Sequence, residues 1–287
     1  MTKGQTKQIK ESETGSVWKE ETPDPVWRTW KGEIVCCDAL SFLNRLKPGI
    51  ADIVFLDPPF NLGKSYGDKP GNADEKSDQD YSDFMKRILT HSAEILSPGG
   101  ALYLYHIPRW ALRLGAFAEE FLTLRHWIAV SMKNSFVRPN YLYPAHYALL
   151  YFTKGRPANF HRPKVEPDTC RHCGKFVKDY GGYRKYVENG VNLCDIWDDV
   201  SPVRHKKYKN REANELPMLI PQRVVQISGV REGLLVDPFA GTGTSLLAAA
   251  KQGMRFVACD REQQFCDLMV NRMEQVSKDK NSVRRTP

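Results

Sequence analysis

The residues Asp57-Pro58-Pro59-Phe60 combine a carboxylate, a rigid turn and a flat ring. They follow 51–56, an apolar, partly β-branched run that predicts a buried strand, so the turn lies where open α/β sheets bind ligands. Proline has a fixed φ and no backbone N–H, so the turn is stiff and rich in acceptors. The Asp57 carboxylate and the Pro58 carbonyl can hold the amine of adenine or cytosine, with Phe60 stacked on the base. A strand end followed by a rigid turn explains this motif alone equally well.

A second motif, Asp237-Pro-Phe-Ala-Gly-Thr-Gly-Thr244, lies far downstream between a predicted strand and a predicted helix. The next predicted strand ends in Asp260, which completes the pattern of a mononucleotide-binding half of a Rossmann-like fold. Gly241 and Gly243 let the backbone approach a ligand closely, and Asp260 can accept both hydroxyls of a ribose. Asp237 would repel a phosphate and attract a cationic amino acid group. The motif therefore favours S-adenosylmethionine over ATP or NAD.

The two motifs, in this order, resemble those of DNA amino-methyltransferases of the permuted beta class, in which the catalytic motif precedes the cofactor motif. The resemblance covers roughly residues 30 to 275. It implies a catalytic set and a set of positions that bind S-adenosylmethionine. The catalytic set is Asp57, Pro58, Pro59 and Phe60. The cofactor set is Asp38, Asp57, Pro217, Asp237, Phe239, Gly241, Gly243, Thr244 and Asp260. Asn214-Glu-Leu-Pro217 departs from the usual Gln-Lys-Pro, which weakens the assignment of Pro217.

The reaction that the resemblance implies is direct methyl transfer to adenine N6 in a base flipped out of the duplex. Asp57 favours adenine, because the family's cytosine-N4 members more often have Ser at this position. Cytosine N4 remains the alternative. A catalytically silent nucleic-acid-binding module of the same fold is the rival from another class, and RNA is a further substrate to test. Chemistry at a ring carbon would need a Pro-Cys at the turn, and the sequence has none there.

The alternation of strands and helices predicts a doubly wound α/β fold of the Rossmann-like methyltransferase type. The predicted strands are 31–38, 51–56, 101–105, 126–132, 145–152, 233–237 and 255–260. The predicted helices are 39–46, 81–96, 108–122, 215–227, 245–251 and 262–273. The predicted divisions are an N-terminal extension, 1–30; a catalytic half, 31–152; a basic target-recognition insert, 153–211; a cofactor-binding half, 212–276; and a basic tail, 277–287. The stretch 61–80 has no apolar period and reads either as a segment that closes over a substrate or as a solvated loop.

Positive charge is concentrated in one part of the chain. Residues 133–211 contain sixteen Lys and Arg against seven Asp and Glu, whereas the whole chain has a net charge of +8. Aromatic residues such as Tyr183 and Tyr186 are interleaved with these basic side chains. Basic residues neutralise phosphates and aromatic rings stack on unpaired bases, so this segment predicts a nucleic acid as the partner, with a solvated basic face as the alternative. The resemblance implies that this partner is double-stranded DNA.

The cysteines indicate a reducing environment and raise the question of a metal. Cys170-Arg-His-Cys173 has the spacing of half a zinc site, and Cys194 stands alone as a third ligand. Reduced thiols in a turn are the alternative to structural zinc. The seven cysteines form no evident disulfide framework, and no apolar run is long enough for a membrane span or a signal core. We therefore expect a cytoplasmic protein. The sequence leaves a monomer and a homodimer open, and the resemblance implies a cognate restriction endonuclease as a further candidate partner.

Overall fold

The structure is a computed structural model. It describes residues 16–19, 25–29, 31–61, 76–131, 139–140, 142–170, 172–176, 187, 189–201 and 215–283, with side chains of the last helix described to residue 276. Most of the glycine-containing stretch 61–80 and much of the basic insert therefore lie outside the described residues. So do Tyr183, Tyr186 and Asn214.

Eleven strands occur in the described part of the chain. They are β1 Trp27–Thr29, β2 Gly32–Cys36, β3 Ala51–Leu56, β4 Leu96–His106, β5 Thr123–Ser131, β6 His146–Thr153, β7 Lys164–Val165, β8 Val191–Asn192, β9 Ile196–Trp197, β10 Leu234–Asp237 and β11 Arg255–Asp260. Nine of them form one sheet in the order β1-β2-β11-β10-β3-β4-β6-β5-β9, and β7 pairs with β8 separately. The helices are α1 Ala39–Arg45, α2 Asp78–Ile95, α3 Pro108–Ala118, α4 Leu219–Ser228, α5 Thr244–Gln252 and α6 Gln263–Val283.

The centre of the sheet is parallel. Strands β2, β11, β10, β3 and β4 run in one direction, and β6 is antiparallel to β4. β10 lies beside β3, with Leu235 opposite Ile53 and Val236 opposite Val54. Because both strands point the same way, the residues that follow them meet at one edge of the sheet. The second motif is thereby brought next to the first, although almost 180 residues separate them in sequence.

Both faces of the sheet are covered by helices, which confirms the doubly wound α/β prediction. On one face, α1, α2 and α3 pack against strand residues that include Val54 and Leu56. On the other face, α4, α5 and α6 pack against Ile53 and Phe55. Successive side chains of β3 thus enter two different cores, which explains the unbroken apolar run over 53–56.

Several element boundaries differ from the sequence-based prediction. α2 begins earlier, at Asp78, because the Ser77 side chain accepts a hydrogen bond from the Asp80 N–H and caps the helix. The helix predicted over 215–227 begins only at Leu219. α6 continues to Val283, into the predicted tail, and β1 joins the sheet from within the predicted N-terminal extension. No helix in the described ranges is long and apolar enough to cross a membrane.

Candidate active site

The catalytic turn predicted from sequence leaves β3 inside a cage of aromatic rings. Phe60 is buried, with its ring centroid 4.9 Å from that of His106, 5.5 Å from Tyr147 and 5.9 Å from Tyr105. Burial, and then the charge of Asp57, raise the pKa of both Tyr105 and Tyr147, so each phenol keeps its proton near neutral pH. The turn is thus bordered by a carboxylate, flat rings and neutral hydroxyl groups.

The backbone of this turn is held by a buried pair of side chains that the sequence did not single out as functional. The Tyr81 hydroxyl lies 2.6 Å from the Pro59 carbonyl oxygen and 2.7 Å from Nε2 of His106. The Ile107 N–H donates to Nδ1 of the same histidine at 2.8 Å. Tyr81 comes from α2 and His106 from the end of β4, so two elements converge on the turn.

Asn61 ends the turn with a second set of hydrogen bonds. Its side-chain amide donates to the Lys76 carbonyl at 3.0 Å, and the Lys76 N–H donates to its side-chain oxygen at 2.8 Å. Asn61 has a φ of 54°, a left-handed conformation that asparagine adopts more readily than most residues. These bonds join the two residues on either side of 62–75.

Asp237 lies at the end of β10 and is almost completely buried. Its carboxylate accepts a hydrogen bond from the Phe239 N–H at 2.9 Å and another from the Ser245 hydroxyl. Burial raises the pKa of Asp237 to about 7, with smaller contributions from the charges of Asp57 and Asp260. A buried carboxyl group with a raised pKa is suited to bind a cationic group, because the positive charge stabilises the carboxylate form.

The glycine-rich turn connects Asp237 to α5. Gly241 and Gly243 have φ values of 52° and 77°, which glycine adopts without strain. The Gly241 N–H donates to the Asp260 carboxylate at 3.0 Å, which fixes the turn to the end of β11. A Cβ on Gly243 would lie 2.9 Å from Cγ of Met269, so this glycine also allows α6 to pack closely.

One pocket is lined by residues of both motifs. It is lined by Phe55, Asp57, Leu216, Asp237, Phe239, Ala240, Gly241, Thr242, Thr244 and Ser245. Two acids from the ends of neighbouring parallel strands therefore face the same space, together with a glycine turn and two phenylalanines. Of the predicted cofactor positions, Asp57, Asp237, Phe239, Gly241 and Thr244 line it. Sequence reasoning missed five lining residues. Four of them adjoin predicted positions, and the fifth lies within β3: Leu216, Ala240, Thr242, Ser245 and Phe55.

The other predicted cofactor positions lie around this pocket without lining it. Asp38 accepts a hydrogen bond from the Ser41 N–H at 3.0 Å and caps α1. Asp260 binds Gly241 and also accepts from the Glu262 N–H at 2.9 Å. Pro217 precedes α4, next to the pocket residue Leu216. The Cys37 N–H donates to the Asp260 carbonyl at 3.1 Å, so the chain leading to Asp38 runs beside the end of β11.

Arg272, on α6, contacts two segments that contribute residues to the pocket. Its guanidinium donates to the Thr242 carbonyl at 2.7 Å and to the Thr242 hydroxyl at 3.0 Å. It also forms an ion pair with Glu215 at 3.9 Å, and the Glu215 side chain is only 5% exposed. Thr242 belongs to the glycine turn, and Glu215 precedes the pocket residue Leu216. These contacts of Arg272 could not be predicted from the sequence, because the amphipathic pattern of α6 does not show which residues a polar side chain will meet.

The thiols proposed as zinc ligands are not assembled into a metal site. Cys170 and Cys173 share a tight turn, in which the Gly174 N–H donates to the Cys170 carbonyl at 2.8 Å. The Cys194 thiol instead lies 3.3 Å from the Ile196 carbonyl oxygen. Within the described ranges, no three His, Cys, Asp or Glu side chains are grouped so that they could hold a metal ion. Zinc bound by Cys170, Cys173 and Cys194 together therefore has no support in this part of the chain.

Comparison with known proteins identifies the family. A family model described as DNA methylase, of the N6/N4 methyltransferase type, matches residues 51–271. The chain belongs to this family. The prediction made from the two motifs, of S-adenosylmethionine-dependent DNA amino-methyltransferases with permuted motif order, is confirmed, and with it the Rossmann-like fold and the cofactor.

Individual relatives support the same family assignment. The type II methyltransferase M.BamHI of Bacillus amyloliquefaciens is 36% identical over 258 residues, which cover 89% of this chain and 60% of that protein. The chain thus spans less than two thirds of that relative's length. Among solved structures, the cytosine-N4-specific PvuII DNA methyltransferase matches with a TM-score of 0.63 at 14% identity, covering 86% of this chain and 87% of that one. A complex of M1.HpyAVI with SAM matches with a TM-score of 0.53 at 15% identity, covering 84% of this chain and 98% of that one.

Proposed function

We propose that this protein methylates the exocyclic amine of a base in double-stranded DNA, with S-adenosylmethionine as the methyl donor. The observation that carries the proposal is the common pocket of Asp57 and Asp237. One acid belongs to a turn suited to an aromatic amine, and the other is a buried carboxyl suited to the ammonium group of an amino acid. The reaction needs a site for the amine of the base and a site for the amino acid part of the cofactor, and the two acids that suit these groups lie at adjoining strand ends.

The residues of the chain have separate tasks in this reaction. Asp57 and the Pro58 carbonyl accept the two hydrogens of the amine, which leaves the nitrogen lone pair directed at the methyl group. A cofactor held beside Asp237 and Gly241 would supply a methyl group on a sulfonium, so that the S–C bond would be exchanged for the new N–C bond and its electron pair would stay on sulfur. Asp57 stabilises the positive charge that develops on nitrogen, and one amine proton leaves to Asp57 or to water.

The target base enters the site by leaving the duplex stack. An amine within the stack cannot be aligned with a sulfonium in a pocket between two strand ends. Phe60, Tyr105 and Tyr147 provide the flat walls against which an extruded base can stack. Phosphate contacts are assigned to the basic insert, whose described part contributes Lys164 and Lys175 among others.

Adenine N6 is the target that an Asp at position 57 favours. Cytosine N4 is the second candidate, and the similar fold of a cytosine-N4-specific enzyme supports it. Both bases present an aromatic amine beside a ring nitrogen, so the same acceptors serve either one. The pairing of type II methyltransferases with restriction systems makes a cognate endonuclease a partner to seek.

The decisive experiment is methylation of unmodified genomic DNA followed by mass spectrometry of the nucleosides. Wild type, Asp57→Ala and Asp57→Asn are compared, and Asp267→Ala serves as a control because it removes an exposed carboxylate from α6. We expect a methylated base from wild type and from the control, and a loss of about a hundredfold to a thousandfold in the rate of both Asp57 variants. N6-methyladenine supports the first assignment, and N4-methylcytosine corrects only the base.

The same samples test the rival functions. Methylation of RNA in place of DNA would change the substrate class. Binding of S-adenosylmethionine without any methylated product would overturn the proposal in favour of a silent nucleic-acid-binding module. Calorimetric titration of each variant with the cofactor distinguishes lost chemistry from lost binding.

A further inference from the structure

We propose that Tyr81 and His106 are positioning residues that set the geometry of the catalytic turn through the Pro59 carbonyl. This role rests on the proposed function. Neither residue belongs to the two motifs, and neither lines the pocket shared by Asp57 and Asp237. Their effect on the reaction would act through the backbone of the turn.

The direction of each hydrogen bond follows from the chemistry of the groups. The Pro59 carbonyl can only accept, so the single hydroxyl hydrogen of Tyr81 is donated to it. Nδ1 of His106 accepts from the Ile107 N–H, which leaves the ring proton on Nε2. This Nε2–H then donates to the Tyr81 oxygen at 2.7 Å. The chain of donors runs from Ile107 through His106 and Tyr81 to Pro59.

Burial keeps this chain in one state. His106 is fully buried and Tyr81 is 3% exposed, so water does not compete for their polar atoms. Burial also lowers the pKa of His106 to about 3, which keeps the imidazole neutral at physiological pH. Trp110 packs against the Tyr81 ring at a centroid distance of 4.7 Å, and Phe60 packs against His106 at 4.9 Å. Packing therefore limits the orientations of both rings.

The sequence of the turn explains why side chains are needed here. Pro58 and Pro59 have no N–H, so neither can anchor the turn by donating a backbone hydrogen bond. The Pro58 carbonyl is the acceptor assigned to the target amine, and the next carbonyl, that of Pro59, is the one that Tyr81 binds. The bond to Pro59 orients the peptide that leads into Phe60. A shift of that peptide would misalign both the amine acceptor and the stacking ring.

The test compares variants that remove individual links. Tyr81→Phe deletes the hydroxyl, and His106→Leu deletes the donor behind it. His106→Gln is the conservative variant, because its amide can accept from Ile107 and donate to Tyr81. Tyr103→Phe is the matched control. Tyr103 lies on β4 and is buried, as Tyr81 is, but its hydroxyl is 2.7 Å from the Ser228 hydroxyl, away from the turn.

We expect Tyr81→Phe and His106→Leu each to lower kcat about tenfold to a hundredfold, since misplacement of about 1 Å can cost that much. The Kd for S-adenosylmethionine should stay within about threefold of wild type. His106→Gln should recover most of the rate, and the double variant Tyr81→Phe/His106→Leu should be no slower than the slower single variant, because both act through one chain.

The outcomes separate this inference from the proposed function. If wild type methylates DNA and Tyr81→Phe is as active as Tyr103→Phe, the positioning role is overturned and the proposed function stands. Additive losses in the double variant, or losses matched by weaker cofactor binding, would also overturn it in favour of a general structural role. If wild type binds the cofactor but methylates nothing, the proposed function fails and the positioning role fails with it.

Discussion

The Ser245 hydroxyl donates a hydrogen bond to the buried carboxylate of Asp237, across the glycine turn that separates them. The Phe239 N–H donates a hydrogen bond to the other oxygen of this carboxylate. These bonds favour ionisation, but the larger effect of burial raises the pKa of Asp237 to about 7. Near neutral pH the carboxyl of the ligand-free protein therefore exists in both protonation states.

We expect the affinity for S-adenosylmethionine to rise with pH between about 6 and 7.5 and then to level off. An ammonium group next to Asp237 stabilises the carboxylate, so the bound protein has a lower Asp237 pKa and releases a proton when it binds below pH 7. Titration calorimetry in buffers of different ionisation enthalpy measures both affinity and proton release.

Asp237→Asn provides the comparison for this pH effect. Asparagine can still accept from Ser245 or Phe239 but cannot ionise, so the variant should bind more weakly at pH 7.5 and lose the proton release assigned to Asp237. An unchanged pH profile in Asp237→Asn would assign the titration to another group, including the amine of the ligand itself.

Arg272→Met should weaken S-adenosylmethionine binding by about tenfold, because it removes charge-assisted hydrogen bonds to Thr242 and the ion pair with Glu215. Methionine retains much of the apolar stem of arginine, so the packing of α6 is largely preserved. Arg231→Met is the control, since the side chain of Arg231 is 86% exposed. Equal affinities of the two variants, measured by calorimetry, would contradict a role for Arg272 in holding the pocket.

The sequence was sufficient to predict which acidic residues lie at strand ends. Asp57, Asp237 and Asp260 each follow an apolar run, and parallel strands bring such residues to one edge of a sheet. The order of strands could not be obtained in this way. That Leu235 pairs with Ile53, and so joins the two motifs, depends on contacts between distant segments that no local pattern encodes.

The sequence did not identify the residues that contact the catalytic turn without lining the pocket, and the reason lies in side-chain packing. Tyr81 belongs to the apolar period of α2 and reads as a core residue, and its ring is indeed packed in the core. Its hydroxyl acquires a partner only when α2 is docked on β4 and the turn. His106 likewise follows the predicted strand 101–105 and belongs to no motif; in the structure it is the last residue of β4. Burial with satisfied polar atoms is a property of packing, which composition and spacing do not contain.

Asn61 joins the catalytic turn to Lys76 through two hydrogen bonds, and substitution tests whether this connection serves the reaction. Asn61→Gly preserves the left-handed backbone conformation at this position and removes only the side-chain bonds. We expect kcat for methylation to fall about tenfold, because residue 61 fixes the end of the segment that presents Asp57 and Phe60. Cofactor affinity should remain close to wild type.

Two comparisons distinguish the hydrogen bonds of Asn61 from its backbone conformation. Asn61→Ala loses the bonds and also strains the backbone, so its free energy of unfolding should be about 1–2 kcal/mol below that of Asn61→Gly in urea titrations. Glu232→Gly relieves a similar φ of 64° at an exposed position in the turn that precedes β10, and it should leave kcat unchanged. If Asn61→Gly keeps the wild-type kcat, the two bonds stabilise the fold without serving the reaction, whereas a loss restricted to both Asn61 variants ties methylation to the contact between residues 61 and 76.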